Sequence, residues 1–124
     1  MADIDTALKG AMTIDGAIGA ALVDYGSGLA LGVVGGGTQH DMNVAAAGNT
    51  DVVRAQMRTL EMVGVRDSIE DVLITLDTEY HLIRLIPPTR SGDTFFLYLI
   101  LDKARANLGL ARYHLRKIEA DLVV

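Results

Sequence analysis

The residues of this chain that could do chemistry are few and scattered. His40, His81 and His114 fall in three separate segments, and no helix face sets a carboxylate beside any of them at metal-ligand spacing. Each reads as a surface or partly packed histidine rather than a ligand or proton shuttle. Ser27 sits between Gly26 and Gly28, but a strand follows it, whereas a nucleophile elbow turns from strand into helix. Asp77 and Glu79 flank a short hairpin turn, where carboxylates are ordinarily solvated. The run Gly32-Val33-Val34-Gly35-Gly36-Gly37-Thr38 passes from strand to helix as a phosphate-cradling loop does. It lacks the Lys-Ser/Thr pair of a P-loop and misses the dinucleotide spacing, so it reads as a linker. The chain has no cysteine, which excludes thiol catalysis, disulfides, iron–sulfur ligation and cysteine-based zinc sites. The sequence predicts no catalytic residue, no metal site and no cofactor.

Basic residues gather near the C-terminus at Arg105, Arg112, Arg116 and Lys117, but Glu119 and Asp121 follow at once, and only Tyr113 could stack on a base. With 16 acidic against 11 basic residues, the net charge of −5 has the wrong sign for nucleic acid. The N-terminus lacks a basic signal region, and no apolar run approaches the roughly 20 residues of a bilayer span. A cytoplasmic location is expected, with any peripheral contact at a membrane made through partners. The 124 residues allow one domain, 1–124. Half of them are hydrophobic, yet there are only two Phe, four Tyr and no Trp. So much aliphatic surface in so small a chain points to cover by a second copy.

The elements follow from periodicity. Ile4, Ala7, Leu8, Ala11 and Met12 share one face of a short helix over Asp3 to Met12, with Asp3 or Asp5 at its capping end. Ala17–Val23 and Leu29–Val34 form a hairpin around Asp24-Tyr25-Gly26-Ser27-Gly28. Gly19 and Gly32 inside it suggest close approach of another backbone. A long helix spans Asp41 to Val63. The β-branched runs Ile69–Asp77 and Tyr80–Ile86 make a second hairpin, and Pro87–Asp93 is a loop by composition. Thr94–Leu101 is apolar on both faces and predicts a central strand. A last helix over Ala104 to Leu122 has Leu108, Ala111, Leu115 and Ile118 on its stripe. The order is α-β-β-α-β-β-β-α.

The long helix is the informative element. At 100° per residue, Asn43, Ala47, Asp51, Arg54, Arg58 and Glu61 occupy a polar sector of about 80°. The rest carries two stripes. Met42, Ala46, Val53, Met57 and Leu60 are mostly bulky; Ala45, Gly48, Val52, Ala55, Thr59 and Met62 are mostly small. A helix covering one sheet needs a single apolar stripe, so two stripes imply two partners, and the small one suits a second helix at short distance.

The run Ile14-Asp15-Gly16-Ala17-Ile18-Gly19-Ala20-Ala21-Leu22-Val23-Asp24, the turn with Gly28 and the return strand Leu29-Ala30-Leu31 resemble the opening of the roadblock/dynein light-chain family. So does the Ala-rich helix with Val44-Ala45-Ala46-Ala47-Gly48-Asn49, followed by three strands and a helix. The likeness covers essentially the whole chain and is nearest the small bacterial members of actinomycete GTPase operons. It implies an α+β fold, roadblock and profilin-like: a five-stranded antiparallel sheet with one helix on one face and two on the other. It implies homodimers in which third strands pair edge to edge and second helices pack together. It also implies a non-enzymatic role, with a small Ras-like GTPase as partner and a sensor-kinase-like membrane protein as a further one. The gliding-motility member of the family is a GTPase-activating protein that supplies no arginine finger.

The expected function is therefore regulation of a small Ras-like GTPase by activation or state-fixing. A passive dimeric scaffold of a membrane sensor complex is the alternative, and a small-molecule sensor domain a remote one. The expected dimer interface is Ala45, Gly48, Val52, Ala55 and Thr59 with Leu73, Thr75 and Asp77 of the third strand. The expected GTPase-binding residues are Asn43, Ala47, Asp51, Arg54 and Arg58.

Overall fold

The computed structural model describes residues 1–88 and 92–124. Its order is α1 (Ile4–Met12), β1 (Ala17–Asp24), β2 (Ala30–Gly35), α2 (Met42–Val63), β3 (Asp71–Thr75), β4 (Glu79–Ile86), β5 (Phe95–Asp102) and α3 (Leu108–Asp121). The strands form one antiparallel sheet in the order β2-β1-β5-β4-β3, which is the expected α+β architecture. Strand β5 lies at its centre, and Phe95 to Leu101 are all buried, as its unbroken apolar run requires.

Strand alternation sorts the core into two layers. On one face Leu8 and Ala11 of α1 and Ala111 and Leu115 of α3 pack on Ala20, Leu22, Leu82, Leu97, Leu99 and Leu101. On the other, Met42, Ala46 and Val53 of α2 pack on Ala21, Val23, Ile83, Phe96, Tyr98 and Ile100. Two helices thus cover one face and one helix the other.

The caps explain the helix boundaries. The Asp3 carboxylate accepts from Thr6 N at 2.8 Å, and Asp41 accepts from Asn43 N and Val44 N at 3.1 Å each. Gly64 ends α2 in the left-handed conformation at φ 82°, with its N–H on the carbonyls of Leu60 and Glu61. At Gly19 a Cβ would meet Gly36 N at 2.9 Å, so another backbone does approach there. At Gly32 the neighbours are instead side chains, Ile4 and Leu8 of α1.

Most strand ends shift by a residue, β3 begins at Asp71 rather than Ile69, and two further differences have a clear cause. Strand β3 ends at Thr75 because Leu76 N–H closes the hairpin turn onto Glu79 O, at 2.8 Å; Asp77 therefore lies in the turn and not on the strand. Helix α3 begins at Leu108, not Ala104. Asp102 holds Ala104, Arg105 and Ala106 in a tight turn, and Asn107 caps the helix by accepting from Leu110 N at 3.1 Å. Of the expected Pro87–Asp93 loop, residues 89–91 lie outside the described residues.

Candidate protein-interaction site

Helix α2 is 22 residues long, about 33 Å at 1.5 Å per residue, and packs on the sheet through one stripe only. Met42, Ala46, Thr50 and Val53 are buried, and Met57 is partly buried against the same layer. Thr50 reaches this apolar position because its hydroxyl donates back to Ala46 O at 2.7 Å.

The small stripe is left open. Ala45 is half-buried, while Gly48, Val52, Ala55 and Thr59 are exposed, with Val52 39% exposed and Met62 74%. A Cβ built on Gly48 meets nothing within 4 Å. Beside the C-terminal half of this stripe runs an open groove of about 840 Å³, floored by Leu60, Ile69 and Val72. Strand β3 lies next to it at the sheet edge, bonded only to β4. Its alternation places Val72 and Ile74, which pair with Ile83 and His81, on the α2 face. Leu73 packs instead into the layer under α1 and α3, and Thr75 is exposed at the strand end. Of the three β3 residues expected at an interface, Leu73 and Thr75 are on the edge strand but point away from the α2 groove, and Asp77 has left the strand.

In the polar sector, Asn43, Ala47, Asp51 and Arg58 are exposed. Arg54 is engaged within the protomer. Its Nη2 donates to the carbonyls of Tyr25 and Gly26, each at 3.1 Å, and its guanidinium lies 5.5 Å from the Tyr25 ring centroid. Asp51 is 3.7 Å from it. At the far sheet edge, Leu31 and Val33 stay 45% and 43% exposed; the register with Ala21 puts Val33 on the α2 side, while Leu31 lies at the bulge between the Leu22 and Val23 pairings.

The histidines are partly packed (His40 and His81) or exposed (His114), and the first two, from separate segments, meet at the Glu79 carboxylate. His40 Nε2 lies 2.8 Å and 3.1 Å from the two Glu79 oxygens, and His81 Nε2 lies 2.9 Å from Oε1. Tyr98 Oη is 2.8 Å from His81 Nδ1. Glu79 is thus no solvated turn residue: its side chain is 20% exposed. The hydrogen bond from His81 leads in holding its carboxyl below the usual range, against the opposing effect of burial, with His40 adding to the lowering. Burial raises the Tyr98 phenol, against a hydrogen bond with Asn49. Spacing alone places Glu79 and His81 on one face of β4, but it could not reveal that His40 from the α2 approach and Tyr98 from β5 meet them. His114, by contrast, is exposed on α3. Three further ion pairs emerge in the fold: Arg84, 8% exposed, with Glu119 at 2.9 Å and with Glu70 at 3.2 Å, and Arg112 with Asp71 at 3.0 Å. Among the described residues no group of three ligating side chains could hold a metal ion. Among them, too, no helix is long and apolar enough to cross a membrane.

No family model matches the chain, and no curated protein matches it. Solved structures do. Myxococcus xanthus MglB superposes with a TM-score of 0.73 at 19% identity, over 92% of this chain and 83% of that one. A roadblock/LC7 domain from Streptomyces avermitilis gives 0.78 at 16% identity, over 96% and 93%. A structure described as MglB with tetrameric arrangement gives 0.73 at 16%, over 91% and 79%. At these identities the likeness is one of fold. The chain has the roadblock fold.

Proposed function

We propose that this protein is a non-catalytic homodimer that regulates a small Ras-like GTPase. One observation carries the reading: α2 turns Gly48, Val52, Ala55 and Thr59 outward beside an open groove and an unpaired edge strand. A second copy fills that arrangement by laying its own small stripe in the groove while the β3 edges pair. Small residues let two helix backbones approach closely, and pairing removes an edge that no proline or lysine guards. The same docking places the two α2 polar sectors side by side, with Asn43, Ala47, Asp51 and Arg58 free for a partner. A flat centre with mixed charge around it suits a transient, specific contact. The GTPase enters from the family resemblance of the sequence and the shared fold with MglB.

The test has two arms. Sedimentation equilibrium at micromolar concentration should give the mass of a dimer; a single species of about 13 kDa would end the proposal. GTP turnover by a cognate small Ras-like GTPase should then change when the dimer is added. Binding without a change in turnover makes the protein a scaffold.

A further inference from the structure

Hydrogen bonds at both ends of β3 fix which way its main chain faces. Leu76 N–H donates to Glu79 O at 2.8 Å, and Leu85 N–H donates to Glu70 O at 3.2 Å. Between them β3 and β4 pair without a bulge, from Asp71 opposite Arg84 to Thr75 opposite Tyr80. Along an antiparallel strand, successive residues turn their N–H and C=O groups to opposite sides. Glu70, Val72, Ile74 and Leu76 therefore direct theirs to β4, and Asp71, Leu73 and Thr75 direct theirs outward at the sheet edge. Side chains alternate as well. Val72, opposite Ile83, and Ile74, opposite His81, lie on the α2 face, and Leu76, which continues the ladder opposite Glu79, joins them there.

Leu76 is 42% exposed at one end of this edge. At the other end, on the same face, the open groove is floored by Ile69 and Val72 beside Leu60. From residue 70 to residue 76 an extended chain covers roughly 20 Å, so the leucine cannot fill the groove of its own protomer.

We propose that, in the homodimer inferred above, β3 pairs with its twin antiparallel about a two-fold axis at Leu73, and that Leu76 of each protomer seats at the β3 end of the other's groove. This register rests on the homodimer reading and adds the residues that meet. With the axis at Leu73, Asp71 faces the partner's Thr75, Leu73 faces the partner's Leu73, and every outward N–H and C=O of the strand is bonded. An axis at Val72 leaves Thr75 facing the partner's Ile69, before its strand begins. An axis at Ile74 sets Asp71 against the partner's Asp77, a like charge in the turn. In the Leu73 register the partner's Ile74 stands beside Val72 and the partner's Leu76 beside Glu70, both on the α2 face. The two nearest carboxylates do not oppose an apolar guest, since Glu70 is held by Arg84 at 3.2 Å and Asp71 by Arg112 at 3.0 Å. The α2 side of the groove stays open to the partner's helix. Val52 and Ala55, which line it, straddle the midpoint of the stripe from Ala45 to Met62, so one axis serves strand and helix.

Disulfide trapping tests the register, because the chain has no cysteine of its own. Val72 and the partner's Ile74 form a non-hydrogen-bonded pair, with Cα atoms about 4.5 Å apart, within disulfide reach. Val72→Cys and Ile74→Cys, mixed in equal amounts and oxidised with glutathione disulfide, should link to each other, and neither should link to itself. Self-linking of Val72→Cys would put the axis at Val72, and self-linking of Ile74→Cys would put it at Ile74. Either result overturns the proposal, as does no crosslink from variants that are folded and dimeric. Leu76→Ala gives a second reading at an exposed position. The dimer dissociation constant should rise about tenfold or more, two leucines being lost from the interface, with the monomer's urea midpoint near that of the parent. An unchanged dissociation constant would overturn the seating of Leu76. A parent that sediments as a monomer would instead end the homodimer reading, and this register with it.

Discussion

Arg54 on α2 is bound to Tyr25 at the start of the β1–β2 turn, through both its backbone and its ring. The guanidinium donates to Tyr25 O and Gly26 O at 3.1 Å and lies 5.5 Å from the ring centroid, while Tyr25 Oη donates to Met57 Sδ at 3.3 Å. Arg54 and Met57 are three apart on one helix, so the ring is held between them. Arg54 thus ties α2 to the hairpin beneath it, which separates it in role from the other polar-sector residues.

Arg54→Ala should therefore cost stability even in a single protomer. Two charged hydrogen bonds and one partly exposed cation–π contact are lost, together about 1–2 kcal/mol. The urea midpoint should fall by the corresponding amount. Arg58→Ala, on the exposed side, should leave it within about 0.5 kcal/mol. Equal effects from the two substitutions would show that the Tyr25 contact contributes nothing.

Glycines in and out of contact give opposite signs. A Cβ at Gly32 would lie 2.9 Å from both Ile4 Cγ2 and Leu8 Cδ1. Gly32→Ala must displace the Ile4 and Leu8 side chains in the packed α1–β2 layer and should destabilise by about 1–3 kcal/mol. At Gly48 nothing lies within 4 Å, and the residue is mid-helix, so Gly48→Ala should stabilise the protomer by up to about 1 kcal/mol. Thermal melts of both variants at a concentration that keeps the chain monomeric check this pair.

Larger side chains at the open stripe separate folding from association. Gly48→Leu and Ala55→Leu face outward and should leave the protomer folded. In the proposed dimer they hold the helices apart, weakening it by about 1–3 kcal/mol. Sedimentation equilibrium of both variants beside the parent measures it. Unchanged dimer affinity in both would move the interface off this stripe.

Much of this architecture was legible in the sequence because local chemistry and burial agreed. Asp41 and Gly64 mark the ends of α2, and the even burial of β5 follows from its unbroken apolar run. The misplaced boundaries came from hydrogen bonds that apolar pattern does not report. One is the Leu76–Glu79 turn that removes Asp77 from β3; the other is the Asp102 turn that delays α3 to Leu108. The faces of β3 were not legible either. Knowing that Ile74 opposes His81 and Leu73 opposes Leu82 requires the register with β4. Strand alternation puts Glu79 and His81 on the face of β4 that Ile83 shares, the α2 side, but that His40 meets them there depends on tertiary structure.

Acid should act on Glu79 with a definite sign. Its carboxyl is held below the ordinary range, first by the His81 hydrogen bond. The folded state therefore favours the ionised form, and the stabilisation is fully present above the unfolded value of about 4.3. It is lost as pH falls through the lowered folded value. Glu79→Gln should accordingly be less stable than the parent near neutral pH, with the gap narrowing below about pH 4. Urea unfolding of both proteins across this range gives the difference directly; a gap independent of pH would mean that the carboxylate charge plays no part.

The partner surface is best tested at Ala47. It is exposed on α2, one turn beyond Asn43 and one before Asp51, on the side away from the open groove. The protomer uses none of these three to bury its core, in contrast to Arg54, whose loss would disturb the hairpin. Ala47→Arg adds bulk and charge where a close-fitting partner would have to sit, and a buried unpaired charge is costly. The expected result is loss of binding to the GTP-loaded GTPase with the dimer and the melting temperature unchanged. An arginine finger is not expected from either Arg54 or Arg58, since both are mid-helix and Arg54 is already engaged. Titration of the loaded GTPase against parent and variant, with the dimer state followed in parallel, reads the outcome. Equal affinity would place the contact elsewhere, and the exposed Val33 on the α2 side of β2 would be the next position to substitute.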